Sequence, residues 1–259
     1  MHPSGEAPSG RLRVLSSDWW RQVLGLLLGP GLVYAYSIAV SSNYLSERWL
    51  SFHTHGYLLH YLLEIAFYAG FLCLWLWLVL RFVCGERLRS LNRKSGSLWT
   101  DLVHGCAIFF LTLVVSHYSL SLLRTHFHTG ETTAVYGMTR AAALSPIHFW
   151  LELGPGIWLM AAMREEFMRV MLLSRLWKLG GSMPYQLATV GLSAVLFGLC
   201  HAYQGTTGFI DATIAGVILG SYYLIYGRPW ALILVHGLRD SFWLLGSVAH
   251  YLTVHGSVH

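Results

Sequence analysis

Seven runs of about 20 apolar residues follow one another along the chain, at 22–41, 57–80, 102–122, 148–176, 185–203, 209–226 and 230–250. Most are close to the length a helix needs to cross ~30 Å of hydrocarbon. Inside a bilayer every backbone N–H and C=O must find a partner without water, which leaves helices or a closed barrel, and runs of this length are helical. The expected fold class is therefore all-α, a polytopic membrane helix bundle with seven or eight transmembrane helices. Composition agrees: 55% of the residues are hydrophobic and 11% charged, against roughly 25% charged in soluble domains. An ordinary cytosolic globule, a disordered chain and a secreted disulfide scaffold are excluded together. The run 148–176 is too long for one perpendicular span and carries Pro155 between two glycines. It reads either as a tilted, kinked helix or as a short helix followed by a second.

The formal net charge is +5, but no basic patch is interleaved with aromatics, so no nucleic-acid partner is expected. In a membrane protein the basic residues mark cytoplasmic loops and contacts with anionic membrane lipid. Arg81, Arg87, Arg89, Arg93 and Lys94 make the loop after the second run cytoplasmic, and Arg11, Arg13, Arg21, Arg175, Lys178 and Arg228 fall on the same side. The expectation is an integral protein of a bacterial inner (plasma) membrane with its N-terminus inside. Residues 1–20 read as a cytoplasmic arm, disordered on account of its Pro/Gly/Ser-rich start. No small-residue cleavage site follows the first apolar run, so that run is expected to stay as an anchor. Cys73, Cys84, Cys106 and Cys200 lack metal-ligand spacing and read as unpaired packing residues.

An ionisable side chain at membrane depth costs about 2.5 to 3.5 kcal/mol on insertion scales, so each one asks for a reason. His2, His53, His55, His126, His128, His255 and His259 lie in loops or tails and read as solvated. His60 and Glu64, four apart on the second run, read as a helix-to-helix contact. Asp211 and Glu152, near the ends of their runs, read as interfacial. Three clusters remain in the C-terminal half: Arg164, Glu165, Glu166 and Arg169; Phe197 to His201; and His236 to Asp240. Carboxylates and imidazoles on three apolar helices are costly to bury separately and satisfy one another if they converge. Taken alone, such a network fits catalysis and structural bracing equally well.

These clusters resemble the motifs of the CPBP family, which comprises type II CAAX prenyl endopeptidases and bacteriocin-processing or Abi proteins. The family pattern is a Glu-Glu pair with a following Arg, then Phe-x-x-x-His, then His-x-x-x-Asn or Asp, each in its own helix and in this order. Here they read Glu165-Glu166-Phe-Met-Arg169, Phe197 to His201 and His236 to Asp240. The resemblance covers about residues 165–242, and 148–250 is the core it implies. Residues 21–147 are N-terminal transmembrane helices without a recognised motif, and 251–259 are a tail. The chain departs from the family in two places. It has EExxR where EExxxR is usual, so alignment on the pair makes Glu165 the base, whereas alignment on the arginine puts Arg164 in the base's place. The pair is the better register, because Glu166 and Arg169 at i,i+3 still meet. The last motif ends in Asp240 rather than the commoner Asn; an ionised Asp cannot donate to an oxyanion but can hold the His236 ring.

The resemblance implies an intramembrane glutamic-type endopeptidase acting on a peptide or protein substrate, such as a C-terminal tail or a leader, without cofactor or metal. Glu165 and His201 would deprotonate a water, His236 held by Asp240 would stabilise the oxyanion, and Arg169 would neutralise Glu166. Two rivals stand beside it. One fills the carboxylate and two imidazoles with zinc; the other is a non-enzymatic immunity-type binder or small transporter, set apart by the lack of a cavity wide enough for a peptide. The assigned sidedness puts Glu165 and His236 in the cytoplasmic half, yet His201 lies roughly 24 Å along its run at 1.5 Å per residue. Either that helix begins deeper, or the site sits near the midplane among tilted helices.

Overall fold

The computed structural model describes residues 17–43, 57–127 and 133–255. Most of the expected N-terminal arm lies outside these residues, with His2, His53, His55, His128, His259 and the side chains of His60 and His126. Among the described residues the chain forms eight helices and no strand: α1 (17–43), α2 (57–83), α3 (Leu98–Phe127), α4 (Thr133–Leu144), α5 (146–179), α6 (Met183–Cys200), α7 (Gly205–Tyr226) and α8 (Pro229–His255). Six stretches in α1, α2, α3, α6, α7 and α8 are long and apolar enough to cross a membrane. The protein is an all-α polytopic membrane bundle.

The run around Pro155 resolves as one helix. α5 opens at Pro146, with the Ser145 side chain accepting from the His148 N–H, and it passes through a π-helical stretch, Glu152–Met163, into Arg164–Leu179. Proline lacks the donor an α-helix needs and its ring collides with the carbonyl one turn back; wider turns accommodate both defects. α1 uses the same device at Leu27–Gly31, where Gly29 leaves helical geometry just before Pro30. The eighth helix is α4, twelve residues, which falls between the apolar runs and is too short to be one of them.

The C-terminal half of α5 is the hub. Met168, Val170, Met171, Leu172 and Leu173 are all buried and pack against α1, α2, α6, α7 and α8. α6 and α7 cross closely at Gly216, where a Cβ would stand 2.8 Å from the Ala194 Cα; a small residue is required there. Gly227 ends α7 with φ +63, the left-handed closure that favours glycine, and Pro229 begins α8.

The segments that carry the basic residues meet at one end of the bundle. Arg93 N–H donates to the Gly227 carbonyl at 2.9 Å, Arg228 Nε to Asp101 Oδ1 at 2.7 Å, and Arg175 Nη1 to Glu86 Oε1 at 2.5 Å. Lys178 also pairs with Glu86. Burial alone would raise the Glu86 pKa, but hydrogen bonds from Arg175 and Lys178, with the Arg175 charge, outweigh it and hold it down to about 2. Two arginines counted for sidedness are thus interior ion-pair partners rather than charges facing headgroups: Arg175 is 0% exposed and Arg228 8%.

Candidate active site

Where α5, α6 and α8 cross, all six residues singled out from the sequence come together. Glu165 and Glu166 are neighbours on α5, and adjacent positions on a helix point about 100° apart. The two carboxylates therefore have different surroundings. Glu166 is fully buried and faces Arg169, also fully buried, with Nη2 at 3.4 Å from Glu166 Oε1. Glu165 turns towards the two histidines and pairs with Arg164, whose guanidinium lies 5.0 Å from the centre of the Tyr68 ring.

His201 caps α6 with φ −105 and ψ 8, in the sparsely populated bridge region where many active-site residues sit. Its Nδ1 lies 2.9 Å from the Phe197 carbonyl oxygen. A carbonyl only accepts, so Nδ1 carries the hydrogen and the neutral ring has its lone pair at Nε2. That atom faces Glu165 Oε2 at 3.8 Å. His236, on α8, places Nδ1 at 2.8 Å from Glu166 Oε1 and Nε2 at 3.3 Å from Asp240 Oδ2, with Glu165 Oε2 at 3.7 Å. Carboxylates that are ionised only accept, so the ring meets both by donating at both nitrogens, as an imidazolium. Three carboxylates, Glu165, Glu166 and Asp240, are then matched by Arg164, Arg169 and His236. Phe197 packs the group together: its ring lies 4.1 Å from the Arg169 guanidinium carbon, 4.5 Å from the His201 ring and edge-on to His236 at 5.7 Å.

Glu165 Oε2 is buried without a protein hydrogen-bond partner. Its distances to the two Nε2 atoms, 3.7 and 3.8 Å, are too long for direct hydrogen bonds and suit a water bonded at ~2.8 Å to each side. Glu165, His201, His236 and Asp240 line a cavity of about 680 Å³, while Glu166 and Arg169 lie behind its wall. Pockets that enclose organic ligands run from about 300 to 1,000 Å³.

Two sequence expectations are corrected here. Glu152 and Asp211 are not at the rim of the bundle but line the same cavity; Asp211 accepts from Ser116 Oγ at 2.6 Å and pairs with Arg239, so its charge is compensated from α3 and α8. Glu64 lines the cavity as well. The site also lies near mid-depth rather than wholly in the half nearer the basic loops: His236 is seven residues, roughly 11 Å, into α8 from Pro229. Glu165 is about 14 residues, roughly 21 Å, from the Leu179 end of α5, and His201 follows the eighteen residues of α6, roughly 27 Å. The cavity runs from mid-depth towards the opposite end, where Ser41, Leu120 and His250 line it. Of the lining groups, Arg239 and Tyr203 carried no sequence signal; they stand next to motif residues but outside the motif pattern.

The residues do not suit a zinc ion. Both His236 nitrogens face carboxylates, so the ring offers a metal no lone pair, and among the described residues no set of three or more His, Cys, Asp and Glu is grouped to hold one.

Residues 146–242, less than half of the chain, match the family model for type II CAAX prenyl endopeptidase Rce1-like proteins. No curated protein and no solved structure matches the chain. The matched segment holds Glu165, His201, His236 and Asp240, and the family supports a protease. The match over residues 146–242 supports assignment of this segment of the integral membrane protein to the CPBP family, to which its motifs are similar.

Proposed function

We propose that the protein is a glutamic-type intramembrane endopeptidase, and that a water held between Glu165 and His201 is its nucleophile. The observation that carries this reading is Glu165 Oε2, buried, unpartnered and flanked by two imidazole Nε2 atoms. The water gives its proton to Glu165 or to the His201 lone pair as its oxygen attacks the scissile carbonyl. The His236 Nε2–H donates to the developing oxyanion. As the C–N bond breaks, the proton taken from water passes to the leaving amine. Arg164 keeps the base ionised until it is used, and Glu166, backed by Arg169, fixes the His236 ring. A cavity of about 680 Å³ beside these groups favours peptide entry over a purely structural network and over the immunity-type or transporter alternative.

Substrate and sidedness belong to the same proposal. With the basic end cytoplasmic, the cavity is entered from the opposite face, and the substrate is the tail, leader or loop of a membrane-associated protein that reaches it there. The activity is tested by incubating the purified protein with quenched peptides, prenylated CAAX-type tails and unmodified apolar tails among them, with and without a chelator. Cleavage that persists under chelation supports a carboxylate-activated water. Activity lost on chelation and restored by zinc overturns the glutamic mechanism.

A further inference from the structure

The reaction proposed above, on which this inference rests, leaves one role half-filled. A tetrahedral oxyanion formed beside His236 meets a single donor there, Nε2–H, because Asp240 accepts and does not donate. Its Oδ2 stands 3.3 Å from that same nitrogen, so it competes with the oxyanion for the hydrogen. The guanidinium groups that line the cavity are turned to other partners through Nη2, Arg239 to Asp211 and Ser116 and Arg164 to Glu165.

Tyr203 has the placement and the free hydrogen. It lies two residues past His201 on the short turn Ala202–Gln204, lines the cavity, and holds its ring within 27° of parallel to the His201 imidazole at 6.2 Å. Two contacts fix it: its backbone N–H donates to Ser41 Oγ at 3.1 Å, and the turn closes through Gln204 N–H to the His201 carbonyl at 2.9 Å. The phenol oxygen accepts from Gln204 Nε2 at 2.9 Å. That bond occupies a lone pair and not the hydrogen, which among the described residues is donated to no protein acceptor. The hydroxyl interacts electrostatically with Glu165, Asp240 and Glu152, which puts it among the acidic groups of the site.

We propose that the Tyr203 hydroxyl is a second hydrogen-bond donor to the oxyanion, so that Tyr203 is a catalytic residue standing in for the amide that Asp240 does not provide.

The test is a set of variants assayed on the peptide that the parent cleaves fastest. Tyr203→Phe keeps the ring and removes the hydroxyl; kcat should fall about 10²-fold, the low end for loss of one oxyanion donor, with KM within about threefold. Adding Asp240→Asn to Tyr203→Phe restores a donor at the neighbouring position and should recover about tenfold or more. Gln204→Leu removes the phenol's support but not its hydrogen and should cost less than about tenfold. A Tyr203→Phe variant within threefold of the parent, while Glu165→Gln is inactive, refutes the inference and leaves the protease reading standing. A loss that Asp240→Asn does not rescue, or that Gln204→Leu reproduces in full together with a lowered melting temperature, makes the role structural and also refutes it. A parent that cleaves no peptide removes the protease reading and this inference with it; a Glu165→Gln variant as active as the parent removes the glutamic mechanism on which the inference rests, and so removes the inference too.

Discussion

Changing Glu166 to Gln should unfold the protein more readily than changing Glu165 to Gln, although the two residues are neighbours. Glu166 is 0% exposed, is the ion-pair partner of a 0% exposed Arg169, and accepts from His236 Nδ1 at 2.8 Å. Three Arg169 nitrogens have no hydrogen-bond partner, so loss of the Glu166 charge leaves a buried guanidinium with little beyond the Phe197 face 4.1 Å away. Breaking one half of a buried pair costs about 3 to 5 kcal/mol. The ring offsets about 0.5 to 2 of that, and the glutamine oxygen can still accept from His236, so about 3 kcal/mol is expected. At 2 to 4 °C per kcal/mol for a chain of this size, the apparent melting temperature should drop by roughly 6 to 12 °C. Glu165 has as its ion-pair partner Arg164, which reaches the cavity, and Glu165→Gln should lower the melting temperature by less than half as much. Thermal unfolding of both variants in the same detergent measures this. Adding Arg169→Met to Glu166→Gln removes the stranded cation and should recover part of the loss, the coupling expected of partners in one cycle. A Glu166→Gln variant that melts within about 2 °C of the parent, or a double variant less stable than the single one, would refute the reasoning.

Two further outcomes concern the basic end. A single cysteine introduced at Ser95 should be labelled from the cytoplasmic side only, because the loop around it carries Arg87, Arg93 and Lys94 and its Glu86 pairs with Lys178; labelling from outside intact cells would reverse the sidedness and the face from which the cavity is entered. Glu86 is held at a pKa of about 2, below the ordinary 4.5. Its ionised form thus contributes stability that is complete above about pH 4.5 and is lost as the pH falls towards 2. The stability gap between the parent and Glu86→Gln should stay constant from pH 7 to about 5 and narrow below it, as thermal melts across that range would show; a gap independent of pH down to 3 would contradict the ion-pair assignment.

Much of the fold was legible because a bilayer leaves the chain little choice: runs of twenty apolar residues become helices, and charged residues inside them must find one another. Glu165, Glu166, Arg169, His201, His236 and Asp240 stood out for that reason, and their convergence follows from the cost of burying them apart. What the sequence withheld depends on helix phase. α1, α2 and α5 each contain π-helical turns, and each such turn shifts the faces beyond it away from a 3.6-residue repeat. Projection along an ideal helix therefore could not show that Glu152 and Arg164 share the cavity wall with Glu165. α4 escaped because its twelve residues are too few to cross a membrane, yet its Met138 and Thr139 line the cavity. The interior pairs of Arg175 with Glu86 and Arg228 with Asp101 were hidden for another reason: counting basic residues says where a loop lies but not which charges are already answered.

The central claim is that Glu165 activates the water that cleaves the peptide, and the kcat of Glu165→Gln on a peptide cleaved by the parent tests it most directly. Glutamine keeps the shape of the side chain and removes the base, so kcat should fall by about 10² to 10⁴ in a protein that remains folded at the assay temperature. A folded Glu165→Gln variant that keeps the parent's kcat, with the loss found instead in Glu166→Gln, would contradict the account.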